Sequence, residues 1–235
     1  MTGPSEGGGS ASPDAAAGNT EATGFLYPFI ESEERDPGPL LVDLAASARA
    51  KAILSKRLAA ATIEATAGAV SAAARAMAQR FVAGGVLYTF GNGGSSSDAA
   101  SVAALFSRPP SGRPVPARCL SEDPAILTAL GNDVGFELVF ARQLIAHARP
   151  GDMCIALSTS GGSKNLLVAA DQARKQGVLV VAMAGYDGGT LARSPSVDHS
   201  LVVHSDSVHR IQETQAALAM QLWRTVQLEL PRKAA

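Results

Sequence analysis

Two serine-rich clusters carry the clearest chemistry in this chain of 235 residues. The first is Gly91-Asn92-Gly93-Gly94-Ser95-Ser96-Ser97-Asp98; the second is Ser158-Thr159-Ser160-Gly161-Gly162-Ser163-Lys164. Hydroxyls and backbone N–H groups donate hydrogen bonds, and the glycines between them allow close approach and positive φ. Such a cluster suits an anionic oxygen group, above all a phosphate. The second cluster is the denser in hydroxyls, and it is not a P-loop, because the GxxxxGK[ST] spacing is absent. For the first, the plain alternative is an ordinary turn with a serine helix cap.

Each cluster follows a short apolar run and opens a helix-forming segment, VLYTF into SSSDAASVAALFS and CIAL into NLLVAADQARKQG. A strand-to-helix turn points backbone N–H groups at a ligand and adds the partial positive charge of the helix N-terminus. Strands are expected at 86–90, 117–120, 154–157, 178–184 and 200–203, with helices at 95–107, 133–148, 163–176 and 208–228. This alternation predicts an α/β fold with a parallel sheet and helices on its faces, and it places a ligand at the carboxyl ends of the strands. Upstream, residues 40–82 contain no proline and are rich in Ala, Leu, Arg, Lys and Glu, which predicts one or two long helices. Their Ala-dense face suits close helix pairing, within or between subunits.

Composition bounds the remainder. With 46% hydrophobic and 17% charged residues, the chain fits one domain over residues 40–235. Residues 1–24 hold no large apolar side chain after Met1 and are expected to be disordered. Residues 25–39, which include FLYPFI, read as a docking segment. The longest apolar run, Val178 to Ala184, is far short of the roughly 18 residues of a membrane span, so no membrane partner is expected. No secretory pattern opens the sequence, which makes the expected location cytoplasmic. Cys119 and Cys154 stand apart from each other and from any CxxC spacing, as reduced, buried thiols would. Acidic side chains concentrate at the N-terminus (Glu6, Asp14, Glu21, Glu31, Glu33, Glu34), and the mild basic excess elsewhere forms no run, so direct nucleic-acid binding is not expected.

Five ordered segments, FGNGGSSSDA, ALGNDVGFE, LSTSGGSKN, AGYDGG and RIQE, resemble the SIS (sugar isomerase) domain of bacterial phosphoheptose isomerases over about residues 45–230. The resemblance implies a flavodoxin-like, three-layer fold with long N-terminal helices that pair subunits. It also implies a homotetramer with sugar-phosphate sites at subunit interfaces. Ser158, Thr159, Ser160 and Ser163 would hold the phosphate, with Asn92 and Ser95 alongside. Asp133 matches a position that contacts sugar hydroxyls, and Gln212 matches the Gln of the RIQE helix. Some SIS relatives are binding or regulatory proteins, so a regulatory protein partner is a further expectation.

The chain departs from the family at the catalytic positions. Active phosphoheptose isomerases present a His and a Glu four residues apart after GNGGS, and a His two helical turns after the RIQE Gln. These groups bind zinc in some members and move a proton between adjacent sugar carbons. Here the corresponding positions are Ser101, Leu105 and Met220; a register slipped by one gives Ala100 and Ala104 instead of the first pair. Enediol chemistry needs groups that exchange protons near working pH, and Leu and Met cannot. The expectation is therefore a sugar-phosphate-binding protein with isomerase activity lost or altered and no zinc or other cofactor. The alternative is an active isomerase of sedoheptulose 7-phosphate or a similar ketose phosphate, with His209 and Glu213 as substitute acid–base groups. The plain reading of those two is a surface residue at the helix start and an ion-pair partner.

Overall fold

The computed structural model describes residues 38–231, so the expectations for the tail and for FLYPFI lie outside the described residues. The described residues divide into two compact units, 38–49 and 50–231. The first is helical and exposed throughout. It is the start of α1 (Gly38–Val82), a single helix of 45 residues. No residue in its interior interrupts hydrogen bonding, which is why the proline-free segment forms one helix instead of two. In the second unit, α1 buries Val70, Ala73, Ala74, Met77, Ala78 and Phe81, the three- and four-residue spacing of one helix face.

After α1 the chain alternates as β1 (Leu87–Gly91), α2 (Gly94–Ser107), β2 (Ala117–Cys119), α3 (Pro124–Asp133), α4 (Val139–His147), β3 (Met153–Ser158), α5 (Lys164–Lys175), β4 (Leu179–Gly185), α6 (Gly189–Ala192), β5 (His199–Val203) and α7 (Val208–Glu229). The five strands pair in parallel in the order β2-β1-β3-β4-β5. Every strand lies within one residue of its expected span. Side chains alternate across the sheet as the period of two requires. Leu87, Met153, Ile155, Leu157, Val181, Met183 and Leu201 face a core shared with α1, α2 and α7. Tyr88, Phe90, Cys154, Ala156, Val180 and Ala182 face the opposite core with α4 and α5. The result is the three-layer α/β fold expected from the alternation, and this strand order is the flavodoxin-like one.

One helical expectation needs correction. The segment 133–148 is not one helix: Gly135, at φ 104°, breaks it, a short 3₁₀ turn (Phe136–Leu138) follows, and α4 starts only at Val139. Asp133 instead closes α3, which the sequence reading passed over. The signal for α3 was present, since Asp123 caps the helix by accepting from the N–H groups of Ala125 and Ile126, and Pro124 stands at the first helical position.

Candidate functional site

In a sheet ordered 2-1-3-4-5, the connections from the ends of β1 and β3 leave toward opposite faces, and a crevice opens between them at their carboxyl ends. The two serine clusters are the loops that leave β1 and β3, so chain topology alone brings them to one crevice. Side chains tie them together. Asn92 Nδ2 donates to Asn165 Oδ1 at 2.9 Å, and Asn165 Nδ2 returns a bond of 2.9 Å to Asn92 Oδ1. Asn92 thus braces the first loop against the start of α5. Asn165, 97% buried, is a site residue the sequence reading missed, because its partner lies 73 residues away.

The second loop leaves hydroxyls unpaired. Ser158, nearly buried at the end of β3, accepts from Gly161 N–H at 2.9 Å, which curls the loop back on itself. Ser160 Oγ accepts from Gly162 N–H at 3.3 Å and keeps its own proton to give. Ser163 is the N-cap of α5, yet its hydroxyl makes no capping bond. Like the Thr159 hydroxyl, it has no hydrogen-bond partner among the described residues. Gly161 sits at φ 64°, and a Cβ there would meet the Gly188 carbonyl oxygen. The loop therefore rests directly on the YDGG turn. That turn is stabilised by Asp187, which accepts from Gly189 N–H and pairs with Arg193 at 3.1 Å. The Gly189 hydrogen bond, and then Arg193, hold the Asp187 carboxyl below its ordinary pKa.

Ser95 is buried in the first turn of α2, and its N–H donates to the Asn92 carbonyl. Gln212, one turn into α7, reaches across to this loop: its Nε2 donates to Asp98 Oδ2 at 2.8 Å. Its amide lies over Gly94, where a Cβ would stand 2.6 Å from Nε2. Asp98 and the fully buried Gln215 are the other residues missed by the sequence reading; Gln215 Nε2 donates to the Ser158 carbonyl at 2.9 Å and fixes the root of the second loop. Asp133 is not joined to this group. It is exposed, accepts from Asn132 Nδ2 at 2.9 Å, and has no hydrogen bond to either serine cluster among the described residues.

Between α2 and α7 lies a groove of about 290 Å³, and its walls include Ser101, Leu105, Leu157, Ala216, Ala219 and Met220. Leu157 immediately precedes Ser158, so the groove adjoins the second loop. Ser101, Leu105 and Met220 therefore face one space, which is mainly apolar and also carries the Asp98 carboxylate. The Ser101 hydroxyl is turned onto its own helix, donating to the Ser97 carbonyl at 2.9 Å. His209 and Glu213 are exposed on α7; with Gln212, Ala216 and Met220 they follow the three-, four-, seven- and eleven-residue spacing of one helix face.

The SIS domain family profile matches residues 54–185. The chain is 42% identical over 163 residues to the phosphoheptose isomerase of Solidesulfovibrio magneticus, covering 67% of this chain and 76% of that protein. It is 44% identical over 162 residues to the phosphoheptose isomerase of a Roseiflexus species, covering 67% and 80%. Among solved structures, the phosphoheptose isomerase of Neisseria gonorrhoeae aligns with a TM-score of 0.71 at 31% identity, covering 79% of this chain and 98% of that one. The enzyme of Francisella tularensis aligns with a TM-score of 0.72 at 30% identity, covering 80% and 98%. A parallel sheet in flavodoxin-like order, two serine loops at its switch point and this extent of sequence identity agree, and the chain belongs to the SIS domain family, in the branch of the phosphoheptose isomerases.

Proposed function

We propose that this protein binds a phosphorylated sugar in the crevice between the β1 and β3 loops and that aldose–ketose isomerisation is lost or altered. The observation that carries the binding half is the second loop, where the Thr159 and Ser163 hydroxyls lack partners and Ser160 has a proton to give, at the N-terminus of α5. Phosphate oxygens accept from these hydroxyls, and the helix end favours their charge. The sugar chain then extends toward Ser95, Gln212 and the groove between α2 and α7.

The second half rests on that groove. Removing a proton from a carbon beside a carbonyl requires a base within about 3 Å of it and an acid at the oxygen. Leu105 and Met220 offer neither, Ser101 is a hydroxyl already bonded to its own helix, and Asp98, the carboxylate on the groove wall, is engaged by the Gln212 amide. The same positions do not fit a zinc ion: beside a leucine, a thioether, a back-bonded serine and Gln212, the groove wall offers the single carboxylate of Asp98, fewer than the three or four His, Cys or carboxylate donors zinc takes. A homotetramer built on α1 and a regulatory protein partner complete the proposal.

Calorimetric titration with sedoheptulose 7-phosphate tests the binding half. Replacing Ser160 with Asp places a carboxylate beside the phosphate and removes a charge-assisted hydrogen bond, and affinity is expected to fall by about 10- to 100-fold or more. Unchanged affinity in the S160D variant would remove the cradle from the proposal. A second reading, an active isomerase, draws on the shared face of His209, Gln212 and Glu213. It requires the H209A variant to lose turnover while keeping ligand affinity.

A further inference from the structure

We infer that Asp98 is a positioning residue that fixes the orientation of Gln212 and thereby makes the site select the hydroxyl-bearing part of the ligand; this rests on the sugar-phosphate reading above. A primary amide presents a carbonyl acceptor on one side and two N–H donors on the other, and free rotation would offer either to a ligand. A carboxylate only accepts. Asp98 Oδ2, at 2.8 Å, therefore claims the nitrogen of Gln212 and leaves no ambiguity about which end faces it.

Gly94 packs against the same amide. A Cβ at that position would come to 2.6 Å from Nε2, 3.3 Å from Oε1 and 3.4 Å from Cδ, so the amide plane packs directly on the glycine. Both contacts come from the first two turns of α2, so α2 and α7 meet at this side chain. Gln212 Oε1 has no hydrogen-bond partner among the described residues, yet it is absent from the buried orphan atoms, which are Thr214 Oγ1, Gln215 Oε1 and Trp223 Nε1. It is an open acceptor beside the crevice. The contrast with Gln215 is instructive: that amide also spends its nitrogen on a fixed carbonyl, but its oxygen is sealed and can serve no ligand.

An open acceptor next to a set of hydroxyl donors divides the work. Phosphate oxygens take bonds from the β3 loop, whereas an acceptor at Gln212 takes a bond from a sugar O–H. Asp98 touches no ligand in this scheme and acts only through Gln212.

The test compares sedoheptulose 7-phosphate with inorganic phosphate as probes, titrated into the full chain and into its D98L, D98N, Q212L and D98L/Q212L variants. D98L is expected to weaken the sugar phosphate by about 10-fold and inorganic phosphate by less than about twofold, the size of one lost hydrogen bond confined to the sugar. D98N keeps an acceptor oxygen for Gln212 and should restore affinity to within about threefold of the unmodified protein. The double variant should bind no more weakly than Q212L alone, because both changes remove the same contact. Equal losses for both probes would mean that Asp98 merely supports the loop, and additive losses or no loss at all would also overturn the inference. If the unmodified protein binds inorganic phosphate but the D98L pattern fails, only the role of Asp98 falls; if it binds neither probe, the sugar-phosphate reading falls with it.

Discussion

At the scale of single residues, the hydroxyl-rich loops were legible because their composition is local: Ser158, Thr159, Ser160 and Ser163 lie within six positions of one another, after a strand and before a helix. What positions them was not legible. The Asn92–Asn165 pair spans 73 residues and the Asp98–Gln212 bond spans 114, and neither distance leaves a trace in one sequence. Gly161 shows how tightly the loop is set. Replacing it with Ala would force a side chain into the left-handed region and against the Gly188 carbonyl, so G161A should destabilise the fold by about 1–3 kcal/mol and weaken phosphate binding with it. Thermal denaturation and titration on the same sample check both effects. The two cysteines should differ in reactivity. Burial pushes both thiols up, Cys154 far more than Cys119, so Cys154 stays protonated through the working pH range. Mass spectrometry after iodoacetamide at mildly alkaline pH should find modification at Cys119 before Cys154, and full modification of Cys154 only after unfolding. Fast labelling of Cys154 in the folded protein would contradict its place in the core between the sheet and α4 and α5.

At the scale of elements, hydrophobic period settled what the sequence could settle. The strands were found because apolar runs bounded by turn residues are short and unambiguous, and α1 because nothing in it breaks a helix. The segment from 121 to 148 was read less well for a physical reason: its motif ALGNDVGFE contains glycines and an Asn-Asp pair that suggest a turn, and only Gly135 acts as the break. Gly131 lies within α3 and leaves its helix intact. The cap of that helix gives a prediction confined to it. The D123A variant loses the side-chain bonds to Ala125 and Ile126 and should cost about 1 kcal/mol. For a domain of this size, that shift corresponds to about 2–4 °C in Tm. Sugar-phosphate affinity should not change, since no hydrogen bond joins α3 to either serine loop among the described residues.

At the scale of the whole molecule, the parallel order β2-β1-β3-β4-β5 turns two clusters far apart in sequence into one crevice, and the groove beside it decides what the crevice can do. The fold and the position of the hydroxyl-rich loops could be read in advance from motif and period. The groove's apolar character followed only from a family comparison of three positions, and its shape required the packing of α2 on α7. Assembly belongs to this scale as well. Light scattering is expected to give four times the chain mass of 24.0 kDa, and deletion of residues 1–24 should leave the number of subunits unchanged. A monomer in either case would remove α1 from the role of subunit contact. The decisive observation is of the reaction itself: proton NMR of the purified protein with sedoheptulose 7-phosphate in D₂O, following aldose phosphate formation and deuterium uptake at the carbon beside the carbonyl. With Leu105 and Met220 in place of acid–base groups, the expected spectrum shows ligand line broadening on binding, with neither product nor exchange. Exchange or product at an enzymatic rate, abolished in the H209A variant, would contradict the loss of proton transfer and assign it to the exposed face of α7.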